Sequence, residues 1–306
     1  MLSVDVERYI ALRRALGYKL VKAERHLRAF ACFAESGGES HIRTGCALDW
    51  LAVAARTPGG RERRLTDLVL FARFLRAEDL RHEVPRAGFE RSRKTRPIPY
   101  IYTREEIARI LDAAGALRPQ KPNPLRSQLY VMLFGLIAAT GLRLSEALTL
   151  RLDDVGPEGV LRIRETKFRK SRLVPLHATV VEALRLYLDL HRRRVGGCGW
   201  LFPSTRRRAL CSTTVNQTFR SLLRRAAIAP ERRRRPRIHD LRHTFATRAL
   251  EQCAAESRAV ARHFVALSTY LGHSEIRNTY WYLQATPEMM ADIATAAEGL
   301  VAESAR

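Results

Sequence analysis

Four short segments in the C-terminal two thirds of this 306-residue chain restrict it most. They are ATGLRLSEALTL with Arg143, ETKFRKSRLVPL with Lys167, HDLRHTFAT with His239 and Arg242, and YLGHSEIRNTYWYL with His273 and Tyr282. A fold that brings these six side chains together makes a cationic pocket around one phosphate, with a phenol poised to attack it. Phosphoryl chemistry needs charge neutralisation, proton transfer and a nucleophile, and all three are present.

Taken singly, each residue has an ordinary reading. Arg143 follows the small turn Thr140-Gly141-Leu142 that leaves a buried helix, where its planar fork suits two phosphate oxygens. It is equally suited to a salt bridge with Glu146, one turn on. His239 and Arg242 are three apart and share a helix face, a spacing common by chance. Lys167 at a hairpin tip reads as a solvated charge, His273 after Leu271-Gly272 as a helix cap, and Tyr282 beside Tyr280 and Trp281 as core. The joint, ordered set is what carries information.

Composition narrows the partner. The 54 Lys+Arg against 31 Asp+Glu give a net charge of +23. Only six of the 54 are Lys, a bias that the base composition of a genome explains, but the excess over acids is not explained that way. A surface this basic points to a polyanion bound by counterion release, and a nucleic acid fits better than a membrane surface. No run reaches the length of a membrane span and no signal peptide is visible; the apolar stretch Leu129–Thr140 suffices only for a buried helix. The five cysteines (Cys32, Cys46, Cys198, Cys211, Cys253) are scattered without a C-x-x-C pair. They read as reduced, mostly buried thiols of a cytoplasmic protein, with no metal site.

Along the chain, residues 1–36 read as helical, with Leu20, Ala23, Leu27, Phe30 and Phe33 at helical spacing and Gly37-Gly38 as the stop. A second helix spans 44–56 and ends at Thr57-Pro58-Gly59-Gly60. A third carries Leu65, Leu68, Ala72 and Leu75 on one face, with Arg61, Arg63 and Arg64 at its start. This predicts a small helical domain over 1–90. The segment 91–100 (RSRKTRPIPY), with Arg91, Arg93 and Lys94, reads as a basic linker. Thr103-Arg104-Glu105-Glu106 is a capping box that opens a second domain over 101–306.

That domain is mainly α with a small β-hairpin. Strands at 159–164 and 172–176 flank a basic tip, Lys167-Phe168-Arg169-Lys170. Further helices are expected at 177–193, 212–227, 239–252, 258–271 and 274–283. A tail helix follows from about 287, with Met289, Met290, Ile293, Ala296 and Leu300 as an apolar stripe. Basic clusters at 192–194, 206–208 and 232–235 fall in connecting segments.

The ordered set ATGLR-x-SE, a basic hairpin ending in RLVPL, HDLRHTFAT, and LGH followed nine residues later by tyrosine resembles the tyrosine recombinase, or phage integrase, family. The resemblance covers about 101–290; the N-terminal helices are similar to that family's core-binding domain by architecture. It implies a C-shaped clamp on double-stranded DNA and a site-specific recombinase that cuts and rejoins strands through a 3′-phosphotyrosyl intermediate. It also implies that no metal, ATP or other cofactor is needed.

Residue by residue, it makes Arg143 and Arg242 the clamp on the scissile phosphate and Lys167 the general acid, with Lys170 as the rival. His239 and His273 become proton-transfer or phosphate-contacting groups, Tyr282 the nucleophile, and Glu146 the buttress of Arg143. Tyr270 and Tyr280 do not hold the nucleophile's spacing. Arg61, Arg63, Arg64, Arg91, Arg93, Lys94, Arg169 and Lys170 are candidate DNA contacts.

Homotetramers on two DNA sites are implied, with the tail helix docking on a neighbour or on its own domain, and with possible partner recombinases or accessory factors. The setting implied is cytoplasmic and nucleoid-associated. The 34 residues from His239 to His273 exceed the spacing of compact members. The last segment resembles recombinases of transposons and other mobile elements. Two other readings stand beside it: a type IB topoisomerase-like enzyme, and a catalytically silent DNA-binding accessory subunit.

Overall fold

In the computed structural model, residues 1–86, 98–119, 123–164, 171–231, 235–252 and 257–272 are described, with the backbone alone at 257–261. The chain divides into two compact units, Met1–Arg96 and Pro97–Arg306.

The first unit holds four helices: α1 (Leu2–Ala15), α2 (Val21–Ser36), α3 (Thr44–Ala54) and α4 (Pro58–Arg76). Residues 1–36 are thus two helices, not one. Gly17 takes a left-handed φ of 88°, which ends the first helix at little steric cost. The core draws on one face of each helix, including Val6, Leu27, Phe30, Trp50, Leu68 and Phe71. Phe33, expected among them, is 37% exposed, because the buried stripe of α2 passes through Phe30, Ala31 and Ala34.

The stretch 57–60 opens α4 and does not close α3. The Thr57 side chain accepts the Gly60 N–H at 3.2 Å, and Pro58 sits in the first turn, where its missing donor costs nothing. Glu83 accepts the Thr44 N–H at the start of α3 (2.8 Å). Beside it, His41, Asp79 and His82 offer donor atoms within 4.8 Å of one another, a grouping the sequence pattern did not flag. Arg81 pairs with Asp79 (2.9 Å), and His82 Nδ1 accepts the Ile42 N–H (3.1 Å). These bonds tie the entry of α3 to the segment after α4.

The second unit is built around α6 (Arg126–Thr140), whose Leu129, Leu133, Phe134, Leu136 and Ile137 are buried. Around it lie α5 (Arg104–Gly115), α7 (Leu144–Leu148), the strands β1 (Val160–Ile163) and β2 (Arg172–Pro175), α8 (Ala178–Arg194), α9 (Ser212–Arg225), α10 (Ile238–Glu251) and α11 (Ser257–Leu271). The capping box of α5 is reciprocal: Glu106 N–H to Thr103 Oγ1 (3.1 Å) and Thr103 N–H to Glu106 Oε2 (2.9 Å). The strands are antiparallel with Ile163 opposite Arg172 and Leu161 opposite Val174. Leu161, Ile163 and Val174 face the core. The expected tip residues Lys167, Arg169 and Lys170 lie outside the described residues, as do Arg91, Arg93, Lys94, His273, Tyr280, Tyr282 and the tail helix.

Tyr102 holds the start of this unit against α10. Its N–H donates to Thr244 Oγ1 (2.9 Å), its hydroxyl donates to Arg237 O (3.1 Å), and its carbonyl accepts from Arg248 Nη2 (2.7 Å). Pro99 is already buried, and Tyr100 meets Tyr102 edge to face at 4.9 Å. Residues 192–194 form the last turn of α8 and are not a connecting segment, a placement that complements the helix dipole. The cysteines are free but mostly not buried: Cys198 is buried, Cys46 half-buried, Cys32 and Cys211 exposed. Cys46 packs against the core of the first unit, and burial of a cysteine is not something its hydrophobicity alone reveals. Cys253 is outside the described residues. Among the described residues no helix is long and apolar enough to cross a membrane.

Candidate active site

Gly141 sets the geometry. It ends α6 with φ 63°, and a Cβ there would lie 2.6 Å from Phe245 Cδ1 and 3.0 Å from Leu271 Cδ2. Only glycine combines that turn with that closeness. Two residues later, Arg143 caps the five-residue α7. Its N–H donates to Glu146 Oε2 (3.0 Å) and its Nη1 to Glu146 Oε1 (2.7 Å). The same R-x-x-[DE] device starts two other elements, with Arg151 N–H to Asp154 Oδ2 (2.9 Å) and Arg237 N–H to Asp240 Oδ2 (2.8 Å). An acid three residues into a helix satisfies a donor that the helix leaves orphaned.

Glu146 is 7% exposed and carries a second partner, Arg172 at the start of β2. Arg172 Nη1 and Nη2 donate to the two carboxylate oxygens at 3.1 and 2.8 Å. Burial by itself would raise the Glu146 pKa. The Arg172 fork, then the Arg143 N–H and guanidinium, outweigh it and bring the pKa down to about 2.

Three arginines then close on the end of α11. Arg172 Nε donates to Tyr270 O (2.7 Å), Arg242 Nη2 to Leu271 O (2.8 Å) and Arg143 Nη2 to Gly272 O (3.0 Å). Carbonyls at a helix C-terminus lack intrahelical partners and carry the negative end of the dipole, so guanidiniums are fitting caps. Arg242 Nη1 also donates to Gly141 O (2.6 Å). One side chain on α10 therefore joins the end of α6 to the end of α11. Gly272 has φ 66°, and a Cβ on it would meet Arg172 Nη1 at 2.8 Å.

His239 lies in the first turn of α10. Its ring meets His243 edge to face at 4.6 Å. As a whole residue it is exposed, while the protein packed around it, the His243 ring included, partly buries its imidazole. That burial, followed by the charges of Arg242, Arg237 and Arg143, lowers its pKa to about 4, with Asp240 opposing. His239 is thus neutral at neutral pH. The folded chain binds fewer protons there than the unfolded one between about pH 6.5 and 4. The stability linked to neutral His239 is therefore present above pH 6.5 and lost as pH falls towards 4. His239→Gln is expected to flatten that limb. Thermal midpoints at pH 5 and 7.5 check it: the gap should narrow in the variant, and an equal gap would contradict the lowered pKa.

The structure brings Arg143, Glu146, His239 and Arg242 to one place. Arg242 is 1% exposed and donates to the carbonyls of Gly141 and Leu271, whereas the Arg143 side chain is 29% exposed. Arg172 was missed by sequence reasoning, although it stands in the quoted segment KSRLVPL. Its signal was an arginine on an otherwise apolar strand. Tyr270 stacks on Phe245 at 5.6 Å, and burial pushes its phenol up to about 12. Of the basic residues expected to meet DNA, Arg61 and Arg64 fold back onto Ala55 O (3.4 Å) and Gly60 O (3.1 Å), while Arg63 is exposed.

Residues 101–289 match the phage integrase family. The integrase/recombinase y4rB of Sinorhizobium fredii (strain NBRC 101917 / NGR234) is 39% identical over 294 residues, 94% of each chain. Tyrosine recombinase XerD of Rhizobium meliloti (strain 1021) is 30% identical over 253 residues, 80% of this chain and 76% of XerD. The fold is shared with the integrase of transposon Tn1549, solved with transposon right-end DNA. Its TM-score is 0.65 at 15% identity, covering 98% of this chain and 99% of that one. It is also shared with lambda integrase, solved as a tetramer on a Holliday junction, with a TM-score of 0.64 at 19% identity, covering 92% and 76%. The chain belongs to the phage integrase family. It is a tyrosine recombinase, an enzyme of site-specific DNA recombination.

Proposed function

We propose that this recombinase attacks the scissile phosphate of duplex DNA with Tyr282 while Arg143, Arg242, His239 and His273 surround that phosphate and Lys167 protonates the leaving 5′ oxygen. The observation that carries the reading is the convergence of Arg143, Arg172 and Arg242 on the three successive carbonyls of 270–272, with His239 beside them. Chain connectivity supports the rest. His273 follows Gly272 directly, so its Cα is about 3.8 Å from that of the residue whose carbonyl Arg143 holds. Lys167 is five residues before Arg172 and is tethered within about 18 Å of it. Tyr282 is ten residues beyond Gly272, within about 36 Å.

The chemistry follows from charge. A free phenol has a pKa of about 10 and is a poor nucleophile at neutral pH. Guanidiniums favour the phenolate and the added charge of the transition state. Neutral His239 is able to accept the phenol proton. The Tyr282 oxygen bonds to phosphorus, the P–O5′ bond breaks, and the 5′ oxygen takes a proton from Lys167. The 3′-phosphotyrosyl link conserves the bond energy, and attack by another 5′ hydroxyl reverses the step. Tyr270, with a phenol pushed up to about 12, is poorly suited to that attack.

The N-terminal unit is proposed as the core-binding domain that closes the clamp around the duplex, with the exposed Arg63 and the basic segment 91–94 on the backbone. A homotetramer on two sites follows by analogy with lambda integrase. A role for a mobile element follows by analogy with the Tn1549 integrase, and nucleoid association from DNA binding.

Covalent trapping tests this reading. Wild type, Tyr282→Phe and Tyr280→Phe would be incubated with a nicked-duplex library from the source genome, and protein-linked DNA recovered under denaturing conditions and sequenced. The expected result is an adduct at a defined site, abolished only by Tyr282→Phe. An adduct that survives Tyr282→Phe would mean another nucleophile, and none from active wild type would favour an accessory subunit. Plasmid relaxation without strand exchange would favour topoisomerase chemistry.

A further inference from the structure

Arg172 is held on every side it has. It is the first residue of β2, opposite Ile163, and its side chain is 12% exposed. Nε donates to Tyr270 O, and Nη1 and Nη2 to the two oxygens of Glu146. A fork on a carboxylate fixes position as well as charge, which an ammonium on a flexible stem does not. The same two oxygens hold Arg143, one through its backbone N–H and one through Nη1. Arg143 is the more exposed of the two guanidiniums, at 29% against 12%. Glu146 and the 270–272 turn therefore stand between a largely buried guanidinium and a more exposed one.

We infer that Arg172 is a positioning residue of the recombination reaction, acting through Glu146 and the 270–272 turn to hold Arg143 in place and to keep its charge available. Charge balance gives the reason. One carboxylate between two guanidiniums leaves a net positive charge. Without Arg172, Glu146 would pair with Arg143 alone, cancel its charge and be free to turn. The 270–272 turn would also lose one of its three caps, next to His273 in the chain. Gly272 fits the same arrangement, since any Cβ there would strike Arg172 Nη1. The inference rests on the proposed role of Arg143 at the scissile phosphate.

A change of phosphate charge distinguishes positioning from bulk structure. The nicked duplex recovered by covalent trapping would be made with the natural phosphodiester or with a neutral methylphosphonate at the scissile position. Single-turnover cleavage would be measured for wild type, Arg143→Ala, Arg172→Ala and Arg172→Lys, with DNA affinity in parallel. On the phosphodiester, Arg172→Ala is expected to bind DNA within about twofold of wild type and to cleave about 100-fold more slowly, the cost of a misplaced catalytic group. Arg172→Lys, which keeps the charge without the fork, should fall between. On the methylphosphonate, where the transition state carries less charge, the deficits of Arg143→Ala and of both Arg172 variants should shrink to about tenfold or less. A relieved Arg143→Ala with unrelieved Arg172 variants would overturn the inference and leave the clamp reading intact. An unrelieved Arg143→Ala would overturn the clamp reading itself. Should Arg172→Ala fail to fold, Arg172→Lys carries the same comparison.

Discussion

Glu146→Ala is expected to destabilise the second unit by about 3–5 kcal/mol, the range for removing one partner from a buried ion pair. The carboxylate is 7% exposed and lies between two guanidiniums. Its loss leaves Arg172, whose side chain is 12% exposed, without an anion, while Arg143 is better able to recover water. The loss also strips the capping bond from the Arg143 N–H. For a unit of this size each kcal/mol lowers the thermal midpoint by about 2–4 °C, so a fall of about 6–20 °C is expected by calorimetry. Glu146→Gln keeps the shape and some acceptor capacity and should fall less. A midpoint within 2 °C of wild type for Glu146→Ala would mean that these contacts behave as a surface salt bridge. Because the Glu146 pKa is depressed to about 2, its contribution is present above the ordinary carboxylate value and is lost as pH falls from there towards 2. The difference between wild type and Glu146→Gln should therefore narrow in acid.

The second large effect is at Gly141. Alanine there must adopt a φ of 63° and place its Cβ 2.6 Å from the Phe245 ring and 3.0 Å from Leu271. The left-handed conformation costs about 1–2 kcal/mol and overpacking about 1–3 kcal/mol, so about 2–5 kcal/mol is expected. The strain does not stay local. Gly141 O is held by Arg242, which also holds Leu271 O, and Arg143 follows two residues on. Gly141→Ala should thus lose covalent adduct formation well beyond its loss of folded protein. Calorimetry and adduct yield per folded molecule check both parts. A variant with near-normal stability would contradict the close approach of Phe245.

The architecture was legible in the sequence where local chemistry decides it. The Thr103 capping box, the glycine that stops α6, the hairpin strands around 160 and 175, and the amphipathic helix α9 each follow from residues a few positions apart. So did the grouping of Arg143, Glu146, His239 and Arg242, because the ordered motifs resemble those of the integrase family. Helix boundaries were less clear where one signal serves two purposes. Gly17 broke a run that periodicity had joined, and Thr57-Pro58-Gly59-Gly60, whose proline and glycines read as a stop, opens α4.

Tertiary structure alone decided the role of Arg172, the burial of Arg242 and the capping of residues 270–272. Arg172 reaches back 26 positions to Glu146 and forward 98 to Tyr270, and Arg242 reaches back 101 to Gly141. No periodicity links such positions. The sequence by itself determined which charged groups the site contains. Which of them face solvent and which are spent on backbone carbonyls depended on the ends of α6 and α11 arriving side by side, leaving orphaned carbonyls that only nearby guanidiniums satisfy.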